Sequence, residues 1–274
     1  MKRAMTFAGR NFKEMLRDPL CYIFCVAMPL ALLFVMHFAF YDAQNTFWFS
    51  VEILTPGINC FAYAFVMLYL ALLVSQDRAT SFLTRLYTSP MRPAEFIIGY
   101  MLPGFAIGMV QAVLCYLCAT VISIAENGSL SFAAAGIPEA ILLSLPALLI
   151  YASIGILFGA AFSDKAAPGL CSAIITASAF LSGAWMLVDE SSALGIVCRI
   201  LPFYPTVKLG RFALAGWETL RIGQTVTQTG LAITTEQATF ATCWSHMLVV
   251  IAWALVLFPL AILVFGKRTR RDAK

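Results

Sequence analysis

Few residues in this chain are of a type that does chemistry, and their placement limits what chemistry that is. His37 and His246 fall toward the ends of long apolar runs, where an imidazole either contacts a substrate or sits at a lipid–water interface. Cys115-x-x-Cys118 has redox spacing, but it lies inside an apolar run with no charge nearby to stabilise a thiolate, so it reads as packing. The sequence contains no G-x-x-x-x-G-K-[ST] loop, no serine-nucleophile elbow and no cluster of metal-ligand residues. The charged groups that do gather lie in 76–99, which holds Asp77, Arg78, Arg85, Arg92 and Glu95 between two apolar runs. Within it Phe82, Leu83, Leu86 and Tyr87 recur at helical spacing and predict a short amphipathic helix, ended by Ser89-Pro90 and Arg92-Pro93. Such a helix either rests on the lipid surface or takes a push from a soluble partner.

The elements that must hold this stretch are membrane spans. The chain has 274 residues, 61% of them hydrophobic and 12% charged, where soluble domains are about half apolar and a quarter charged. That balance predicts an all-α membrane protein folded as a single transmembrane domain over 1–274. Six spans are expected, over 20–41, 53–76, 98–124, 140–163, 166–188 and 240–265. Pro29 is expected to kink the first, and the small residues of the fifth suit a buried or subunit-facing helix. Before them, 1–18 forms an amphipathic helix with Met5, Ala8, Phe12, Met15 and Leu16 on one face and Arg3, Arg10, Lys13, Glu14 and Arg17 on the other. Asp18-Pro19 reads as the cap and first residue of span 1, and no cleaved leader is expected. The 77–95 loop follows span 2. The long loop 189–236 holds two short apolar pieces, 193–203 and 207–220, read as helices at the opposite membrane face.

With six spans, Lys and Arg collect at the N-terminus, in the 77–95 loop, at Lys165 and at the C-terminus, leaving Arg199, Lys208, Arg211 and Arg221 on the other side. This bias puts both termini in the cytoplasm. The net charge of +4 therefore follows topology and does not point to nucleic acid. Gly104-x-x-x-Gly108 and Gly155-x-x-x-Gly159 are helix-packing motifs.

The 76–99 stretch resembles the coupling-helix region of type-2 ATP-binding-cassette (ABC) exporter permeases. The resemblance rests on Asp77-Arg78, Thr80-Ser81, Phe82-Leu83, Arg85-Leu86 and Ser89-Pro90, with Gly99 opening the next span. Ser81 stands where the family usually has glycine, and Ala79 where it often has glutamate. The amphipathic N-terminus resembles the family's connecting helix, and Leu201-Pro202-Phe203-Tyr204-Pro205 resembles the turn of its external helical hairpin before the last span.

The resemblance implies a transmembrane permease subunit in the plasma (inner) membrane. It would pair with a second permease subunit, as homo- or heterodimer, and dock on a nucleotide-binding ATPase subunit. No cofactor is expected on this chain, which is not itself an enzyme; ATP and magnesium belong to the partner. Export of an amphipathic drug, lipid or glycan-like substrate follows from the same resemblance. Asp77, Arg78, Thr80, Phe82, Leu83, Arg85 and Leu86 would meet the ATPase, aided by Arg10, Lys13 and Arg17 of the connecting helix. Phe34, His37, Tyr63, Met67, Phe180 and His246 are candidates for the substrate path. Two rivals stand beside this reading: an ion-coupled secondary transporter working through a histidine, and a non-transport membrane assembly or immunity factor. The first is disfavoured by the lack of Asp, Glu, Lys or Arg inside the spans.

Overall fold

In the computed structural model, residues 2–41, 47–80, 93–185, 188, 190, 192–227 and 230–272 are described. Helix α1 is Lys2–Arg17. The first span is built from α2, Pro19–Tyr22, a π turn over Ile23–Ala27, and α3, Met28–Phe40. Asp18 accepts a hydrogen bond from the Leu20 amide at 2.9 Å, the cap expected of Asp18-Pro19. The π turn lies directly before Pro29, whose ring nitrogen has no proton to donate to the preceding turn, so the irregularity falls where the proline was expected to act.

Helix α4, Val51–Ala79, is the axis of the molecule. Helices α5, Pro93–Asn127, and α6, Gly136–Ala161, pack against it, as do α3 and the shorter α7, Ala167–Leu181. On the far side α6 packs against the last helix, α10, Phe240–Asp272. The closest of these seams is made by glycine: a Cβ on Gly155 would lie 2.4 Å from the Met67 carbonyl oxygen, and one on Gly159 2.6 Å from that of Ala71. The 155–159 motif thus brings α6 onto the α4 backbone, as its sequence spacing suggests.

Five helices among the described residues are long and apolar enough to cross a membrane: Pro19–Phe40, Val51–Ala79, Pro93–Asn127, Gly136–Ala161 and Ala241–Arg268. The expected fifth span, 166–188, is shorter in the structure, because α7 ends at Leu181. Gly183 then turns the chain with φ +64°, and the buried Arg211 guanidinium donates to the carbonyls of Gly183 and Ala184 at 2.8 and 3.2 Å. The left-handed residue stops the helix, and the cation holds the two carbonyls just past the turn.

The long loop also differs from its expectation. It does contain two helices, α8, Ala193–Ile200, and α9, Phe203–Leu214. The second was expected to reach 220, but Gly216 and Trp217 take φ of +67° and +61° and end it. A two-stranded antiparallel hairpin follows, β1, Thr219–Thr227, with β2, Gly230–Gln237, where the sequence is rich in β-branched residues. The segment before the last span, expected to be a helical hairpin, is therefore helical only in its first half. Helix α9 does not lie at the surface: its residues are buried against α4, α6 and α10.

All eight cysteines are free thiols and six are buried, Cys115 among them; Cys198, expected in an exposed segment, is one of the six.

Candidate functional site

The site is the corner where α1, the end of α4 and the start of α5 meet. Helix α1 turns Ala4, Phe7, Ala8, Asn11 and Met15 toward the protein. Of the expected apolar face, Ala8 and Met15 are buried while Met5, Phe12 and Leu16 stay exposed, and Phe7 and Asn11, absent from that face, complete the contact with the protein. Phe7 seats against Gly99 of α5, where a Cβ would come within 2.3 Å of the phenyl ring. The same ring meets Phe96 and Tyr100 edge-on at centroid distances of 5.7 and 4.9 Å. Asn11 donates to the Gly99 carbonyl at 3.1 Å. Gly99 is thus a socket for the amphipathic helix.

Charge fastens the same corner. Arg10 donates to both oxygens of Asp77, at 2.8 and 3.0 Å, and Tyr100 donates its hydroxyl to Asp77 Oδ2 at 2.8 Å. Arg10 also pairs with Glu14 at 2.9 Å. Burial works against the Arg10 charge, but the hydrogen bond and negative charge of Asp77 outweigh it and hold its pKa above the ordinary value. One residue on, Arg78 donates to the carbonyls of Gly159 and Phe162, both at 3.0 Å, closing the free end of α6. Arg268 of α10 donates to Ala161 in the same turn at 3.2 Å. Thr80 caps α4 by donating to Gln76 at 3.0 Å.

Asp77 and Arg78, expected to meet the ATPase, therefore use their side chains within this chain; Asp77 is 5% exposed. They tie the N-terminal flank of the 81–92 segment to α1 and α6, and the Tyr100 hydroxyl on Asp77 adds the α5 flank. Phe82, Leu83, Arg85 and Leu86 lie outside the described residues. Arg10, Lys13 and Arg17 line an open groove of about 900 Å³ along α1, with Thr6, Gly9, Glu14 and Asp18. Here the cations of the connecting helix are brought together, with two carboxylates among them.

The substrate-path candidates do not share a cavity. Tyr63 and Met67 are fully buried in the packed α4 seam, so neither faces a path within the chain. The Tyr63 hydroxyl is 2.7 Å from that of Ser144 and accepts from Asn59 at 3.2 Å, and Gln111 donates to Asn59 at 3.1 Å. The sequence reading missed this amide–hydroxyl cluster; its signal was one amide inside each of two otherwise apolar spans. His37 is buried and fixed, with Nδ1 2.8 Å from the Phe49 carbonyl and Nε2 2.9 Å from Glu126, so it fastens α3 to α5. Phe34, stacked on Phe38, and Phe180 are exposed on the outsides of α3 and α7. His246 is buried near the start of α10, edge-on to Tyr204 at 6.1 Å.

Comparison with known proteins supplies the remaining identification. No curated protein matches the chain. A family model described as "ABC-2 family transporter protein" matches residues 44–263, which runs from before α4 into the last span and takes in the whole of the 189–236 segment. The helical membrane architecture and this match together show that the chain belongs to the ABC-2 transporter family, as a transmembrane permease subunit.

Proposed function

We propose that this chain is the permease subunit of an ABC exporter, and that it couples ATP hydrolysis on a separate nucleotide-binding subunit to movement of an amphipathic substrate. The observation that carries the reading is the bracket from Arg10 to Asp77. It joins the amphipathic helix to the last turn of α4, immediately before the 81–92 segment. A force applied to that segment enters α4 through Asp77, α6 through Arg78 and α1 through Arg10, so three helices receive it together. Phe82, Leu83, Arg85 and Leu86 are the residues proposed to touch the ATPase, and the Lys13 and Arg17 side of the α1 groove is a second contact. The bracket residues act as positioning groups behind that surface.

The exposed small-residue face of α7, with Ser172, Ala173 and Thr176, is proposed as the seam for a second permease subunit. Its neighbour Phe180 then lines the space between subunits. The inner membrane, with both termini in the cytoplasm, is the location that the Lys and Arg distribution favours. A secondary transporter working through His37 is less well supported, since both ring nitrogens are held by fixed partners.

The test is to purify the tagged chain in mild detergent and identify what stays bound, then to substitute Arg85 and Leu86 together. Recovery of a P-loop ATPase and loss of ATP-dependent transport in the double variant are expected. Transport at the normal rate with normal partner binding would overturn the coupling assignment.

A further inference from the structure

A second cavity lies at the opposite membrane face from α1. It has a volume of about 390 Å³ and opens between α8 and α10. Its α8 wall is Ile196, Arg199 and Ile200; its α10 wall is Ser245, His246, Val249, Ala252 and Trp253. The volume falls in the range of small-molecule sites, about 300–1,000 Å³.

Three features make it more than a seam between helices. First, His246 is 2% exposed and its Nε2 has no hydrogen-bond partner among the described residues. A buried polar nitrogen without a partner costs free energy, and a ligand atom would relieve it. Second, cations gather above the cavity. Glu190 accepts from Lys208 and from Tyr204 through Oε1, and its Oε2 is 3.7 Å from Arg199. Among the described residues Lys208 and Arg199 both lie against the Glu190 carboxylate, and the Arg199 side chain is half exposed. Third, polarity runs along the helix axis. Ser245 and His246 lie within two turns of the start of α10, while Val249, Ala252 and Trp253 follow on the same face deeper in the span. The Trp253 indole donates to the Ile200 carbonyl at 2.8 Å, fixing the cavity floor to the end of α8.

We propose that this cavity binds the phosphate-bearing head of an anionic amphiphile from the adjacent leaflet. Arg199 and the Nε2–H tautomer of His246 donate to the phosphate, and Ser245 adds a hydroxyl. The acyl chain lies on Ile196, Ile200, Val249, Ala252 and Trp253. The gradient from cationic to apolar along α10 matches the head-to-tail gradient of a lipid standing in its leaflet. A free phosphate would use the upper half alone and leave the apolar wall uncovered. The proposal does not depend on the coupling assignment, because lipid binding here needs neither ATP nor a partner.

The experiment uses the full chain in phosphatidylcholine nanodiscs doped with a photoreactive lipid, either phosphatidylglycerol or phosphatidylcholine, with the crosslinking group on the acyl chain. Labelled peptides are mapped by mass spectrometry. Phosphatidylglycerol is expected to label the segments around Ile196–Ile200 and Val249–Trp253, and Arg199→Gln is expected to lower that labelling about tenfold, the size of one charge-assisted hydrogen bond. Arg199→Lys, which keeps the charge, retains most of it, and monodisperse elution of each variant guards against misfolding. Equal labelling by the two lipids, which share the phosphate and differ in the choline cation, would overturn the anionic head, and labelling unaffected by Arg199→Gln would overturn the phosphate contact. So would loss of the phosphatidylglycerol label on adding inorganic phosphate at constant ionic strength, which would make this a free-anion site.

Discussion

Arg10 and Asp77, 67 positions apart in the chain, are joined by two hydrogen bonds of 2.8 and 3.0 Å, with Asp77 almost wholly buried. The pair is the only ion pair among the described residues that links α1 to α4. Removing either partner leaves the other with an incomplete shell, so the two substitutions are not additive. In a thermal-unfolding cycle of Arg10→Ala, Asp77→Asn and the double variant, a coupling of about 1–3 kcal/mol is expected. Screening at the Arg10 end, which is 36% exposed, favours the lower part of that range. Additive effects would mean that the bracket does not hold α1.

The Phe7 socket gives a prediction of opposite geometry. A Cβ on Gly99 meets the rim of the ring, which cannot swing freely between Phe96 and Tyr100. Gly99→Ala is expected to cost about 1–3 kcal/mol by overpacking. Phe7→Ala in the same chain should recover part of that loss, because the small side chain makes room. Limited proteolysis of α1 reads the outcome directly: cleavage rises in Gly99→Ala and falls again in the double variant relative to the additive expectation.

Acid should act through Glu190. Burial raises the pKa of its carboxyl, but hydrogen bonds from Lys208 and Tyr204 and the Lys208 charge outweigh it and hold the pKa below the ordinary 4.5. A group depressed on folding contributes stability above its unfolded pKa and loses it as the pH falls through the folded value. The unfolding temperature of the native chain should therefore drop more steeply below the ordinary carboxylate range than that of Glu190→Gln. Parallel curves for the two proteins would contradict this.

The amide–hydroxyl cluster between α4, α5 and α6 predicts graded effects. Asn59 donates to Tyr63 and Ser144 and accepts from Gln111, so Asn59→Leu breaks contacts to both neighbouring helices. A loss of about 1–2 kcal/mol is expected, against about 0.6 for Tyr63→Phe, in line with hydrogen bonds between helices in lipid. Comparing resistance to denaturing detergent in the two variants checks the order.

Much of this fold was legible because bilayer physics writes itself into composition. Long apolar runs found the membrane-crossing helices, Asp18-Pro19 marked the start of the first, and Pro29 marked its irregular turn. What was not legible depended on partners far away in sequence. The turn after α7 is held by Arg211, 30 positions beyond Leu181, and Gly183 alone does not announce that partner. The Phe7 and Asn11 part of the protein-facing side of α1 was not drawn at all, because a helix between lipid and protein has two apolar faces and periodicity marked only one of them. Asp77 was found as a residue that matters, but its orientation came only with Arg10 and Tyr100 in place. The β-hairpin was hidden by the expectation that a loop in a helical membrane protein is itself helical.

The shortness of α7 has a mechanical consequence. Fifteen residues at about 1.5 Å each rise about 22 Å, against a hydrocarbon thickness of about 30 Å. A bilayer bordering such a helix must dimple toward it, and the elastic cost of that dimple grows with acyl-chain length. Two chains that bring their α7 helices together bury the short edges against each other and flatten the membrane around them. If two chains pair along this edge as proposed, thick bilayers would favour the pairing and thin ones relax it, so membrane thickness would act as a force on that assembly.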